Sequence, residues 1–230
     1  MKEVSDIFGI EIKNEELFEQ ALTHPSYTKE HNLDYTSCYE RLEFLGDAIL
    51  KLTVSNVLYN MFPEYTEGNM SKIRSIVVSD ATLFEICEKT GLSEFIILAK
   101  HEEKQGLRKI ESVCACAFEA LLGAYYLDGK LKELTEYIKK TFTPYIEDVD
   151  KNFEKYNAKA ILQEYTQGMT KEVPVYELTE EKGPAHNKTF TIQVLYKNEI
   201  VATGEGKSKK EAEQHAAYNA CIKLGVIKDE

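Results

Sequence analysis

The chain has 230 residues, with 28 Lys+Arg against 39 Asp+Glu, 43% hydrophobic residues, 12 Gly and 5 Pro. That length suits one or two domains, and the apolar content excludes disordered and collagen-like chains. The net charge of −11 argues at first sight against a polyanionic partner. No stretch approaches the roughly 20 apolar residues of a membrane span, and residues 1–16 lack a basic-then-apolar signal pattern, so a soluble cytoplasmic protein without a membrane partner is expected. The cysteines, Cys38, Cys87, Cys114, Cys116 and Cys221, lack CxxC spacing and read as reduced thiols.

In chain order, helices are predicted at Asn14–Ala21, through Leu42, Leu45, Ala48, Ile49 and Leu52, around Asn69–Val78, at Asp80–Thr90, through Ala117, Ala120, Leu121 and Ala124, and at Leu131–Thr141. Gly91 and Gly129 stand where helices should stop. The polar stretch Ile146–Lys159 suits a short linker. A helix is expected at Ala158–Gln167 and a strand at Val175–Thr179. Phe190, Ile192 and Val194 then alternate with Thr191 and Gln193, and Glu199–Thr203 follows the turn-prone Lys197-Asn198. Ser208 and Glu211 have capping-box spacing for a final helix. An all-α domain at about 1–150 followed by an α+β unit of order α-β-β-β-α at about 156–226 is therefore expected. Residues 151–230 hold 12 Lys+Arg and 12 Asp+Glu, so the whole excess of acid lies in the first part.

Glu40, Glu43 and Asp47, in YERLEFLGDAIL, are spaced i, i+3 and i+7 and share one helix face. Like charges at that spacing repel, and either a divalent cation or simple solvation of an acidic face would balance them. Glu119 lies in the apolar run ACAFEALLGAYYLDG, where a carboxylate must be paired, metal-bound or turned to solvent. If the two helices pack together, Glu119 completes an oxygen-rich site suited to a hard ion.

YERLEFLGDAIL resembles the signature of the bacterial ribonuclease III family. The resemblance extends over ALTHPSY, EGNMSKIRSIVVS at Glu67–Ser79, EALLGAYYLDG and the C-terminal unit. It implies a double-stranded-RNA-specific endoribonuclease that leaves 5′-phosphate and 3′-hydroxyl ends, acts in rRNA and mRNA precursor processing, and uses Mg²⁺, with Mn²⁺ as a substitute. Carried over by position, Glu43, Asp47 and Glu119 match metal-binding acids, with Asp47 and Glu119 catalytic. Glu40 and Glu67 match supporting acids. Phe44 matches a residue that plugs into a partner subunit, which implies a homodimer. One position departs: Cys116 stands where the family carries Asp. A soft, neutral thiol is a poor ligand for Mg²⁺. The alternative is therefore a catalytically weakened or inactive double-stranded-RNA-binding protein.

Lys207, Lys209 and Lys210 cluster at a helix start, where the dipole and unpaired N–H groups favour phosphate. By resemblance to double-stranded-RNA-binding domains these lysines meet phosphates, while Gln163 and Glu164 of the first helix and His186 of the GPAH loop meet 2′-hydroxyls. His24 of THPSY reads as a hydrogen-bonding residue of the fold. His31, His101 and His215 lack partners at metal-ligand spacing.

Overall fold

The computed structural model describes residues 1–183 and 188–228. The chain divides into two compact units, Met1–Asp148 and Val149–Glu230.

The first unit is helical. It contains α1 (Lys2–Phe8), α2 (Glu15–Leu22), α3 (Pro25–Glu30), α4 (Glu40–Met61), α5 (Glu67–Val77), α6 (Asp80–Thr90), α7 (Lys100–Lys104) and α8 (Glu111–Leu127), and α9 (Leu131–Lys151) starts within it. Local chemistry sets several boundaries. Pro25 opens α3 while His24 Nδ1 accepts from the Ser26 N–H at 3.0 Å. Thr66 caps α5 by accepting from Asn69 N–H at 3.3 Å. Gly91, with φ of 71°, closes α6.

Helix α8 is the centre of this unit. Its Ala117, Phe118, Ala120, Leu121, Leu122, Ala124 and Tyr125 are all buried, and it packs against α2, α4 and α6. Phe118 stacks on Phe8 of α1 and meets Phe142 of α9 edge-on. The approach of α4 to α8 is unusually close. A Cβ on Gly46 would lie 1.7 Å from the Glu119 carbonyl oxygen, and one on Gly123 would lie 2.3 Å from that of Leu42. Only glycine on both sides lets the two backbones cross at this depth.

The apolar pattern of α4 is split by the structure. Leu42, Ile49, Leu50, Val54 and Leu58 are buried, whereas Ala48 is exposed and Phe44, Leu52 and Tyr59 are 82%, 72% and 71% exposed. The expected run through Ala48 and Leu52 thus belongs to two faces. One is core, and the other is an outward apolar stripe at spacings of four, four and seven.

The expected linker at Ile146–Lys159 is corrected. Helix α9 continues to Lys151 through Pro144, and α10 (Phe153–Tyr156) and α11 (Ala158–Thr170) follow almost at once. Leu134, Ile138, Phe142, Ile146 and Val149 are buried at spacings of three and four, an amphipathic repeat that the polar neighbours disguise.

In the second unit β1 (Val175–Lys182), β2 (Thr189–Tyr196) and β3 (Glu199–Gly206) form an antiparallel sheet in the order β1-β2-β3, followed by α12 (Lys209–Lys223). Each strand runs beyond its expected end. Lys197 and Asn198 both adopt positive φ, 55° and 61°, which gives the two-residue hairpin turn a twist that matches its strands. Ile192 and Val194 of β2 are buried with Leu162 of α11 and Ala212, Ala216, Ala217 and Ala220 of α12. A Cβ on Gly204 would lie 2.1 Å from Ala216 N, so the alanine face of α12 lies directly on β3. Ser208 caps α12 by accepting from Glu211 N–H at 3.1 Å, and the Glu211 carboxylate accepts from Lys207 N–H at 2.6 Å.

Replacing Gly46 by Ala is expected to destabilise the protein by about 1–3 kcal/mol or more, because the helices must separate. Gly68→Ala on α5, whose added Cβ comes no closer than 3.8 Å to Thr66 Oγ1, should be neutral or slightly stabilising. Urea denaturation checks both; equal midpoints for the two variants would show that the crossing carries no constraint.

Candidate active site and nucleic-acid interface

The glycine crossing sets one polar patch of α4 against one of α8. Glu43 and Asp47 come from α4, Cys116 and Glu119 from α8, and all four are half-buried. Across the helices Glu43 and Cys116 act on one another, and so do Asp47 and Glu119. Lys51, one turn beyond Asp47, donates to its Oδ2 at 2.8 Å.

The electrostatics follow from this packing. Burial among apolar side chains pushes the Glu119 carboxyl up to about 8; the Asp47 charge, their shared hydrogen bond and Glu43 add to the rise, and Lys51 opposes it. Burial also raises Glu43, reinforced by Glu40, Asp47 and Asp80, while its hydrogen bond with Cys116 pulls the other way. The Cys116 thiol is driven up to about 12 by burial and by Glu43, Glu119 and Asp80. Glu119 therefore keeps its proton at neutral pH far more readily than an exposed glutamate does.

The remaining sequence-predicted acids lie around this core. Glu40 begins α4, and its Oε2 accepts from Cys38 Sγ at 3.6 Å. Glu67 begins α5, is exposed, and accepts from Ser71 Oγ at 2.7 Å; it takes no part in the network joining α4 to α8. Among the described residues, no three His, Cys, Asp or Glu side chains already converge tightly enough to hold a metal ion. The donor set nonetheless fits a hard divalent cation. Three carboxylates face one another across the crossing, and their mutual repulsion, visible in the raised pKa of Glu119, is what such an ion would relieve.

Asp80 was not singled out in the sequence. It is the first residue of α6, and its charge acts on both Glu43 and Cys116. In sequence it reads as an acid favourably placed at a helix N-terminus, and nothing local reveals that α6 packs on α8. His24 is a fold residue, as expected. All five cysteines are free thiols.

On the second unit, Lys207, Lys209 and Lys210 are exposed at the start of α12. Lys207 Nζ donates to Thr189 Oγ1 at 3.3 Å, and Lys209 Nζ lies 5.9 Å from the centre of the Phe190 ring, so both lysines are tied to the start of β2. Gln163 and Glu164 lie on the exposed side of α11. An ion pair from Lys159 to Glu213 and a 3.1 Å bond from Lys159 N–H to Gln214 Oε1 join α11 to α12. His186 lies outside the described residues.

A helical unit with a carboxylate-lined crossing, followed by an α-β-β-β-α unit with a basic helix start, defines a nuclease directed at duplex RNA. The profile described as Ribonuclease-III-like matches residues 14–146, and the double-stranded RNA binding motif matches residues 158–224. Ribonuclease 3 of Staphylococcus haemolyticus is 42% identical over 216 residues, 94% of this chain and 88% of that protein. Ribonuclease 3 of Listeria monocytogenes is 39% identical over 223 residues, 97% of each chain. The nuclease domain of ribonuclease III from Campylobacter jejuni superposes with a TM-score of 0.54 at 31% identity, covering 64% of this chain and 96% of that one. The chain belongs to the ribonuclease III family. It is a double-stranded-RNA-specific endoribonuclease of a generally metal-dependent class, and a purely binding role is not favoured.

An acid whose native pKa exceeds its unfolded value of 4.5 holds extra protons when folded, so without metal Glu119 should make stability fall as pH rises from about 4.5 to 8. Glu119→Gln removes this dependence. Thermal melts in chelator should show the variant melting several degrees above wild type at pH 8 and level with it near pH 4; a constant offset would exclude the raised pKa.

Proposed function

We propose that this enzyme hydrolyses phosphodiesters of duplex RNA with Mg²⁺ as its cation and Mn²⁺ as a substitute, acting in the cytoplasm on rRNA and mRNA precursors. The observation that carries the reading is the half-buried trio Glu43, Asp47 and Glu119 facing one another across the α4–α8 crossing. Glu43, Asp47 and Glu119 hold the cation, and Glu40 and Glu67 lend negative potential along the approach. A cation bound there supplies Lewis acidity for the attacking water and offsets charge building on the phosphate. Glu119, whose carboxyl burial raises, would give up its proton for a cation to bind there. Lys51 restrains the Asp47 carboxylate through the bond it donates from the solvent side. The half-buried crossing lowers the local dielectric, which strengthens each of these interactions.

The duplex is held by the second domain, about 156–226, separate from the catalytic domain at about 1–150. Lys207, Lys209 and Lys210 meet phosphates across the major groove, and Gln163, Glu164 and His186 meet 2′-hydroxyls in the flanking minor grooves. These contacts read A-form shape more than sequence. A second copy of the chain covers the apolar stripe of α4 that Phe44 begins, since Phe44, Leu52 and Tyr59, 82%, 72% and 71% exposed along one helix, are typical of an interface. A solved relative is described in terms of a region involved in dimer formation.

Incubation with long duplex RNA and Mg²⁺ should give short duplex products. Asp47→Asn should lower cleavage by at least about 100-fold while the gel shift persists; cleavage at the wild-type rate would remove Asp47 from the site. Lys209→Ala should weaken binding for all duplex sequences and reduce the salt slope by about 1, and unchanged affinity and slope would remove that phosphate contact. Sedimentation of Phe44→Ala should show a population shifted to monomer; a wild-type profile would place the dimer contact elsewhere.

A further inference from the structure

A base stands at the edge of the acidic crossing. Lys51 Nζ donates to Asp47 Oδ2 at 2.8 Å, one helical turn away. The backbone of Lys51 is held while its side chain is not. Ser55 Oγ donates to the Lys51 carbonyl at 2.6 Å and accepts from Arg74 Nη1 at 2.7 Å, which ties this turn of α4 to α5. The Lys51 side chain, 51% exposed, reaches Asp47 from the solvent side on a flexible four-carbon stem.

An ion pair one turn apart on a helix and half in water is weak, and on an ordinary surface it would have no consequence. Here its acid is one of three that face one another, and the oxygen that Lys51 occupies is one a hard divalent cation needs. An ammonium and a divalent cation repel strongly when they share one half-buried carboxylate. The lysine is the partner that yields, because it carries the smaller charge and its stem can swing. Once displaced it stays tethered beside the site, where the anion that arrives with the substrate is the RNA backbone.

We propose that Lys51 is a substrate-binding residue that changes partners: it holds Asp47 until a cation takes that carboxylate, and then meets a phosphate of the strand to be cut. This rests on the metal-binding role given to Asp47 above. The exchange makes one RNA contact of the catalytic domain conditional on a loaded site, so that the duplex is held more tightly by the cation-bound enzyme.

The test uses the full-length protein and Lys51→Met, which keeps the length of the stem and removes the charge. Free Mn²⁺ read by electron paramagnetic resonance, with no RNA present, should show the variant binding Mn²⁺ about two- to fivefold more tightly than wild type, the range set by the strength of an exposed ion pair. Duplex RNA is then titrated in gel shifts over a range of monovalent salt. With Ca²⁺ held constant as the probe cation, and the strands checked to be intact, the variant should show a salt slope smaller by about 1, the loss of one phosphate contact. With chelator in place of Ca²⁺ the slopes of variant and wild type should coincide. Lys51→Arg should keep the wild-type slope in Ca²⁺. Equal slopes for Lys51→Met and wild type in Ca²⁺ would overturn the proposal and leave Lys51 a merely structural partner of Asp47. A deficit of the same size in chelator would overturn it as well, since the contact would then be independent of the cation, and so would an unchanged Mn²⁺ affinity. Failure of the underlying reading is distinguishable: Asp47→Asn would then bind Mn²⁺ as wild type does, whatever the Lys51 variants show.

Discussion

The structure of the catalytic unit depends on one steric fact, that α4 and α8 touch backbone to backbone. Gly46 lies against the Glu119 carbonyl and Gly123 against that of Leu42, and a methyl group on either would overlap main-chain atoms. Side chains that flank such a contact are brought closer than ordinary helix packing allows. Glu43 and Asp47 flank it on α4, and Cys116 and Glu119 flank it on α8. The separation between the carboxylates is therefore set by the backbones, while long, flexible side chains on well-spaced helices could relax apart.

Such proximity works against folding. Half-buried acids lose hydration and repel one another, and the raised pKa of Glu119 records that cost. The apolar body of α8, with Ala117, Phe118, Leu121 and Tyr125 all fully buried, supplies the compensating stability. A cluster of acids and the centre of a hydrophobic core thus share one helix, with opposite demands met on neighbouring turns. The Cys116 thiol, kept neutral by burial, adds no charge to that repulsion.

The second unit repeats the device for a different purpose. Gly204 admits the alanine face of α12 onto β3, which fixes the start of that helix relative to β2 and so the lysines at it. Net charge gave a poor guide to this partner. The excess acid belongs to the first 150 residues, whereas the remainder is neutral and gathers Lys207, Lys209 and Lys210 at the start of α12. An average over the chain hides a distribution that RNA, with charges every few ångströms, does not average.

Much of this was readable from the chain. Periodicity placed α4, α6 and α8, alternation placed β2, and Ser208 with Glu211 marked the start of α12, because each signal is local and the residues involved are only a few positions apart. The contiguous motifs carried the family resemblance for the same reason. Patterns that mixed two faces were misread: Ala48 and Leu52 turned outward, and α9 ran on through Pro144 beneath a polar surface. What the sequence determined by itself was which residues are helical and which acids share a helix. Only the tertiary structure decided that Glu43 meets Cys116, that Asp47 meets Glu119, and that Asp80 lies close enough to act on Glu43 and Cys116. Those relations join residues from 36 to 73 positions apart, and the contact of two glycines that sets the first two leaves no mark on local periodicity.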